Sequence, residues 1–231
     1  MFRNHHATII GYNKTINQDS NEIYESSKYL LSIVADGLGS AKHSGIGSYQ
    51  AVKAVRKAIT QWRSLKESNN NVLLQLIHFY WSLFINDLKL EKKDCSTTCL
   101  FIYINKENNE GLIAQLGDGM IYFESNNYIY LTSASDDFNY TKALGNSTSA
   151  KDWVVNTIKL DLENLRFFIA TDGISDDLIE NKEKEFLLYL IKSMKQLAKN
   201  NCNKYLNKIL KEWPTKFHTD DKTVCVTWSE R

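Results

Sequence analysis

The sequence has little proline, few cysteines and no excess of charge of either sign. One proline and ten glycines among 231 residues leave no flexible linker that would mark a domain boundary. Lys and Arg total 28 against 27 Asp and Glu, so no overall positive field draws the protein to nucleic acid or to an anionic membrane. We therefore expect a single domain over residues 1–231 that binds neither nucleic acid nor membrane.

The scarcity of cysteine and of long apolar runs narrows the class of protein further. Cys95, Cys99, Cys202 and Cys225 are too few and too scattered for a disulfide-stapled secreted scaffold, and we expect reduced, packed thiols. Cys95 and Cys99 fall in one segment with the pattern of a strand. No apolar run approaches the roughly 18 residues of a membrane span, and the first residues, MFRNHHATII, lack the features of a signal peptide. These absences predict a soluble, cytoplasmic protein.

What is present is a succession of short apolar patterns, and 43% of the residues are hydrophobic, enough for a sizeable core. Helical spacing of apolar residues predicts helices over about 44–64 and 71–90, and two more around 187–197 and 205–213. Strands are predicted at 7–11, 29–35, 97–104, 111–116, 120–124, 128–132, 154–159, 167–171 and 223–228. Because several consecutive strands are joined by short turns, we expect antiparallel sheets rather than a doubly wound parallel one.

The dipeptide Asp-Gly is the sharpest chemical signal. With 14 Asp and 10 Gly, random placement predicts about 0.6 such pairs, yet three occur, at 36–37, 118–119 and 172–173, each after an apolar strand. One pair alone is typical of a turn. Three pairs at strand ends indicate instead that carboxylates meet at a common rim of the packed sheets.

Clustered carboxylates repel one another unless they hold protons or a cation, and Mg²⁺ and Mn²⁺ prefer oxygen ligands. Asp19 in NQDS and the pair Asp220 and Asp221 in TDDKTV are further acidic candidates. The five histidines and four cysteines show no zinc-ligand spacing. The pattern therefore predicts an oxygen-rich site for a divalent metal.

Seven short motifs, in this order, resemble those of the metal-dependent protein phosphatases of the protein phosphatase 2C (PP2C) type. They are NQD at 17–19, VADGLGS at 34–40, STT at 96–98, LGDG at 116–119, KALG at 142–145, ATDGISD at 170–176 and DDKT at 220–223. The resemblance extends from about residue 10 to 228. It implies a compact, bacterial-like member with an α+β fold, a four-layer αββα sandwich of two antiparallel sheets flanked by pairs of helices.

The resemblance also implies a role for individual residues at two Mg²⁺ or Mn²⁺ ions. Asp36 matches the carboxylate that bridges the two ions, and Gly37 would offer its carbonyl oxygen to the second. Asp172 and Asp220 match the remaining carboxylates of the first ion, and Asp19 matches the position that holds water on the second. Asp36 and Asp19 are thus the candidate catalytic residues.

Asp118 and Asp176 extend this set of candidate metal ligands, whereas Lys14 departs from the family pattern. Asp118 matches the ligand of a third, weaker metal ion in bacterial relatives, with Asp176 beside it. Lys14 stands where many relatives carry an arginine that contacts the substrate phosphate. Lysine keeps the positive charge but lacks the bidentate fork, so we expect weaker or differently oriented phosphate binding.

Other departures concern the leaving group and the active-site flap. Leu38 stands where some eukaryotic relatives have a histidine, which leaves His43 and His218 as candidates to protonate the leaving oxygen. Few residues separate LTSAS at 131–135 from KALG at 142–145, so the flap is predicted to be short and the cleft open. Asp136 and Asp137 in this loop are interpreted as solvated turn residues.

The implied activity is the hydrolysis of phosphoserine and phosphothreonine in proteins by water activated at a binuclear centre, without a protein nucleophile. The expected partners are a phosphorylated protein substrate and an opposing Ser/Thr kinase. Two alternatives stay open: a catalytically silent member that serves as a binding or regulatory module, and a phosphatase of a small phosphorylated metabolite. The presence of Asp36, Asp172 and Asp220 favours the enzyme.

Overall fold

The structure is a computed structural model that describes residues 2–65, 69–132, 141–214 and 219–230. Its strands are β1 (Phe2–Ile9), β2 (Asp19–Glu25), β3 (Tyr29–Asp36), β4 (Cys99–Asn105), β5 (Glu110–Leu116), β6 (Met120–Ser125), β7 (Tyr128–Leu131), β8 (Val154–Lys159), β9 (Leu165–Ala170) and β10 (Lys222–Ser229). Its helices are α1 (Ser44–Ser64), α2 (Asn70–Asp87), α3 (Asp172–Ser175), α4 (Glu183–Lys195) and α5 (Lys199–Lys211). Short 3₁₀ turns span Lys92–Cys95, Ala150–Asp152 and Leu162–Asn164.

The strands of the described residues form two five-stranded sheets. The first has the order β1-β10-β9-β6-β7 and the second the order β2-β3-β4-β5-β8. Each neighbouring pair of strands is antiparallel. The two sheets interleave in sequence, since β1 belongs to the first sheet, β2 to β5 to the second, and β6 and β7 to the first again.

Three apolar clusters hold four layers together. The inner faces of the two sheets meet in one cluster, which includes Val34 and Ile102 from the second sheet and Phe167 and Ile169 from the first. Helices α1 and α2 cover the outer face of the second sheet around Trp81, and α4 and α5 cover the outer face of the first. Because each sheet buries both faces, its central strands are apolar on both sides, and the predicted αββα sandwich is confirmed.

Most predicted elements lie within a few residues of the observed ones. The helix predicted over 44–64 and the strand predicted over 154–159 have the bounds that the structure shows. One strand was missed: β2, with the sequence DSNEIYE, is an edge strand whose residues are mostly half-buried, so it lacks a clear apolar alternation. Cys95 was wrongly placed in a strand, since it ends a 3₁₀ turn and the next strand begins at Cys99.

All four cysteines are free and buried, in agreement with the sequence. Among the described helices, none combines the length and apolar character that crossing a bilayer requires. The predicted short flap, with Asp136 and Asp137, and the candidate acid His218 lie outside the described residues. The single-domain organisation over residues 1–231 stays a prediction.

Candidate metal centre

Asp36 is the last residue of β3, and the segment Ser96–Thr97–Thr98 holds its backbone in place. The Asp36 amide donates to Thr98 Oγ1 at 3.0 Å. The Asp36 carbonyl oxygen accepts from Thr97 Oγ1 and from the Thr98 amide, each at 2.8 Å. With its main chain fixed on both sides, the Asp36 carboxylate is free for chemistry. The STT motif that the sequence singles out is therefore a positioning element.

Asp19 opens β2 directly opposite Asp36 in the antiparallel register of β2 and β3. Residues opposite one another on adjacent strands have Cβ atoms about 5 Å apart, so this register alone brings two carboxylates together. Asp19 is buried, and its Oδ2 accepts from Thr171 Oγ1 at 2.9 Å. Its other oxygen, Oδ1, has no hydrogen-bond partner among the described residues.

Asp172 comes from the first sheet, at the junction of β9 and α3. Thr171, which contacts Asp19, is tied to β10 by paired hydrogen bonds with Thr223: the Thr171 amide donates to the Thr223 carbonyl at 3.1 Å, and the Thr223 amide donates to Thr171 Oγ1 at 3.0 Å. The Gly173 amide donates to Asp172 Oδ1 at 2.6 Å. The rim therefore joins carboxylates from both sheets.

The pKa values of Asp36 and Asp19 are both raised at this rim. Burial raises the pKa of Asp36 well above its ordinary value, and the charges of Asp19 and Asp172 raise it further. Burial also raises the pKa of Asp19 to about 7, against the opposing effect of hydrogen bonds from Thr223, Asp36 and Thr171. Because burial and mutual repulsion disfavour the ionised carboxylates, a bound cation would stabilise them.

Asp221, an acidic candidate of the sequence to which the family resemblance assigns no role, is buried. Its Oδ1 accepts from the Gly11 amide and its Oδ2 from the Gln18 amide, each at 2.7 Å. Lys14 Nζ lies 3.3 Å from the same Oδ2. Asp221 thus fixes the loop between β1 and β2. Because this loop leads into β2, Asp221 also positions Asp19 at the start of that strand. The signal that could have found it is the second Asp of DDKT, directly beside a predicted ligand.

Asp220 and Lys14 lie together at the open side of the rim. Lys14 Nζ is 3.7 Å from Asp220 Oδ1, and half of the Asp220 side chain is exposed. Although burial opposes the charging of Lys14, Asp221 and Asp220 raise its pKa, so the ammonium stays protonated near neutral pH. The structure thus places the predicted phosphate-binding residue next to the predicted metal carboxylates.

Asp118 lies in the turn between β5 and β6. Its flanking glycines, Gly117 and Gly119, have φ values of 91° and 95°, a region that favours glycine. Asp118 Oδ2 accepts from Thr141 Oγ1 at 3.1 Å. Burial raises the pKa of Asp118, and the charges of Asp172 and Asp176 add to the effect. The charge of Asp172 thus raises the pKa values of both Asp36 and Asp118.

Gly37, Leu38 and His43 follow Asp36 toward α1. The Gly37 amide donates to the Gln18 carbonyl at 3.1 Å, and a Cβ on Gly37 would lie 2.6 Å from the Ser44 backbone, so only glycine fits. The Leu38 amide donates to the Ser96 carbonyl at 3.0 Å. His43 caps α1 through its backbone, and its side chain lines a groove beside the rim.

The side-chain types at the rim suit a divalent metal ion, but their arrangement among the described residues does not enclose a single metal position. Within the described ranges, no three His, Cys, Asp or Glu side chains are arranged to hold one ion together. Instead Asp36 lies close enough to Asp19 and Asp172 for their charges to raise its pKa. The side-chain donors are carboxylate oxygens, the pKa values of Asp19 and Asp36 are raised, and the buried Asp19 Oδ1 lacks a partner among the described residues. This is the donor set that Mg²⁺ or Mn²⁺ prefers.

The family model described as Protein phosphatase 2C matches residues 11–211 of the chain. No curated protein matches its sequence. Among solved structures, the fold is similar to the serine/threonine phosphatase Stp1 from Staphylococcus aureus, with a TM-score of 0.71, 16% identity and coverage of 100% of this chain and 96% of that one.

Two further similar structures contain metal ions. The catalytic domain of the serine/threonine phosphatase PstP, in complex with two manganese ions, has a TM-score of 0.64, 16% identity and coverage of 98% of this chain and 97% of that one. RsbX in complex with magnesium has a TM-score of 0.65, 16% identity and coverage of 98% and 94%. At this identity the likeness concerns the fold.

Proposed function

The chain belongs to the protein phosphatase 2C family, and on this basis we propose that it is a metal-dependent phosphatase that hydrolyses phosphoserine and phosphothreonine in proteins. The observation that carries the proposal is the rim at which Asp19, Asp36 and Asp172 meet, with the carboxyl pKa values of Asp19 and Asp36 raised. Solved structures of this fold with manganese and with magnesium support the metal requirement.

In this proposal Asp36, Asp172 and Asp220 hold the first ion, and Asp36, the Gly37 carbonyl and Asp19 serve the second. When bound, Mg²⁺ or Mn²⁺ supplies the charge that polarises a phosphate ester and acidifies water at neutral pH. Asp118 and Asp176 are proposed as the ligands of a third, weaker ion.

The protein's own residues orient the reaction around these ions. The Thr97 and Thr98 hydroxyls fix the main chain of Asp36. Thr171 fixes one oxygen of Asp19 and leaves the other available. The Lys14 ammonium, held by Asp221, supplies a positive charge at the open side of the rim, where it would bind a phosphate oxygen as a point charge.

A protein substrate is the class that the family supports, and a Ser/Thr kinase is the enzyme class that must supply it, because the reaction consumes phosphorylated Ser or Thr. The cytoplasmic location expected from the sequence stays a prediction. The following experiment distinguishes this protein phosphatase from the two alternatives, a catalytically silent binding module and a metabolite phosphatase.

The test is phosphate release from a phosphothreonine peptide by the purified protein with Mn²⁺, with Mg²⁺ and with EDTA. We expect metal-dependent turnover that Asp36→Asn lowers at least about a hundredfold, since the substitution removes a charge from the site. Asp87→Asn is the matched control, because Asp87 is an exposed residue at the end of α2, and it should retain full activity.

Full activity in Asp36→Asn would contradict the ligand assignment. Absence of both turnover and calorimetric Mn²⁺ binding would indicate the silent module. Metal binding without peptide turnover, together with hydrolysis of small phosphate esters, would indicate a metabolite phosphatase.

A further inference from the structure

A groove of about 810 Å³ opens beside the carboxylate rim, between the loop that follows β1 and the start of α1. Lys14 and Gln18 belong to its wall and also to the rim, since the Lys14 ammonium and the Gln18 amide both contact Asp221. The groove is therefore continuous with the place where the phosphate is expected. Its volume is in the range of ligand-binding clefts.

The lining of the groove includes a cluster of exposed apolar side chains. Four of its lining residues are large, hydrophobic and exposed: Ile16 at 68%, Tyr49 at 57%, Leu88 at 47% and Ile46 at 39%. They come from three separate elements, the β1–β2 loop, α1 and the end of α2, and converge on one concavity. Exposed apolar side chains that cluster in a groove are typical of a binding surface rather than of scattered surface residues.

The charge of the groove has one sign. Lys42 and Lys14 line it, of which Lys14 is paired with Asp221 and Asp220, and its lining residues in the described part of the chain include no Asp or Glu. Lys42 is exposed and has no ion pair with any described residue. Lys53 Nζ lies 5.5 Å from the centroid of the Tyr49 ring and adds a third positive charge at this edge.

We propose that this groove, defined by Ile16, Lys42, Ile46, Tyr49 and Leu88, binds the segment of the substrate protein next to the phosphorylated residue, and that it selects segments with acidic and aliphatic side chains. The proposal rests on the proposed phosphatase function. Charge complementarity with Lys42 attracts the acidic side chains, and the apolar lining buries the aliphatic ones. The groove would thus confer sequence preference on a site whose metal chemistry recognises only phosphate.

The experiment compares two phosphothreonine peptides of equal length in Mn²⁺. One carries Leu and Glu on both sides of the phosphothreonine, and the other carries Ser and Lys at the same positions. p-Nitrophenyl phosphate, which has no flanking segment, reports the metal chemistry alone. We expect the wild-type kcat/KM to be about tenfold higher for the Leu/Glu peptide than for the Ser/Lys peptide.

Lys42→Glu and Ile16→Ser should each lower kcat/KM for the Leu/Glu peptide by about three- to tenfold, the effect of one surface charge or one aliphatic contact. Both variants should hydrolyse p-nitrophenyl phosphate within twofold of wild type. The matched controls are Lys192→Glu, an exposed lysine on α4, and Ile179→Ser, an aliphatic residue 73% exposed elsewhere. Both controls should leave all three substrates unchanged.

Equal rates on the two peptides, or equal losses on the peptides and on p-nitrophenyl phosphate, would overturn the docking proposal. If wild type hydrolyses neither the peptides nor p-nitrophenyl phosphate, the proposed function is wrong, and docking is then judged by fluorescence anisotropy of the labelled peptides in EDTA. Tighter binding of the Leu/Glu peptide that Lys42→Glu weakens would support the groove. Indistinguishable binding of the two peptides would overturn it.

Discussion

At the scale of single residues, the burial of the Asp19 carboxyl is unfavourable for the stability of the metal-free protein. Its carboxyl is buried opposite Asp36, with one oxygen held by Thr171 and the other without a partner among the described residues. An unpaired polar atom in the interior is unfavourable unless a ligand satisfies it. The residue is therefore better suited to a bound cation than to the stability of the metal-free chain.

The pH dependence of metal-free stability tests this electrostatic cost. Burial raises the pKa of Asp19 to about 7, whereas a carboxyl in the unfolded chain titrates near 4. Between these values the folded protein binds more protons than the unfolded chain, so the free energy of unfolding falls as pH rises. With EDTA present, we expect urea denaturation to show a protein on the order of 2 kcal/mol less stable at pH 8 than at pH 5.

Asp19→Asn is the matched variant for this measurement, because it keeps the shape of the side chain and removes its titration. Its stability should vary less between pH 5 and pH 8, while the raised pKa of Asp36 leaves part of the dependence in place. A variant with the same pH slope as wild type would show that Asp19 does not carry the effect.

At the scale of elements, the start of α1 packs unusually closely on the turn that ends at Cys95. A Cβ on Gly47 would lie only 1.8 Å from the Cys95 carbonyl oxygen. The Gly47 carbonyl also accepts from Trp81 Nε1 of α2 at 3.1 Å. This contact fixes the turn directly before Ser96–Thr97–Thr98, the segment that positions Asp36. A glycine inside a helix thus supports the geometry of the site.

Gly47→Ala separates this packing from helix propensity. Alanine stabilises a helix interior by up to about 1 kcal/mol relative to glycine, so propensity alone predicts a more stable protein. We expect the opposite, a loss of about 1–3 kcal/mol in urea denaturation, because the added methyl group forces α1 away from the turn.

Gly39→Ala is the control for Gly47→Ala, since no heavy atom of the described residues lies within 4 Å of the position that a Cβ on Gly39 would take. Its stability should stay within about 0.5 kcal/mol of wild type. An unchanged or increased stability of Gly47→Ala would contradict the close packing of α1.

At the scale of the whole molecule, the candidate metal centre requires both sheets. Asp19 and Asp36 belong to the second sheet, whereas Asp172 follows β9 and Asp220 precedes β10, both strands of the first. The two halves meet only because the apolar inner faces of the sheets pack together. Folding of the core and assembly of the site are therefore one event.

The cysteines offer a measurement of that cooperativity. Cys95 and Cys99 lie under α1 and α2, Cys202 lies in the layer of α4 and α5, and Cys225 lies between the sheets. Burial raises the pKa of the Cys225 thiol to about 12 and also raises that of Cys99, which disfavours the reactive thiolate.

We expect DTNB to modify all four thiols rapidly in 6 M guanidinium and at least about a thousandfold more slowly in the native protein, because access requires opening of a core layer. If the chain unfolds as one domain, native labelling of the layers follows a single rate. Fast labelling of Cys202 alone would show instead that the layer of α4 and α5 opens independently.

The sequence by itself determined the elements with strong apolar periodicity and the chemistry of the site. The apolar pattern of α1 and of the central strands, the three Asp-Gly pairs and the oxygen-only ligand set follow from residue type and spacing, because they depend on local propensity and side-chain chemistry. Edge strand β2 escaped prediction, because its stability comes from pairing with β3 and not from a pattern of its own.

Tertiary structure alone decided how the predicted residues meet. The register of β2 on β3 sets Asp19 against Asp36, and the packing of the sheets brings Thr171 to Asp19. Asp221 gained its role from two backbone amides of a loop that is remote in sequence. These contacts join residues up to 210 positions apart, and no local pattern encodes them, because they arise from the burial of apolar faces far from the site itself.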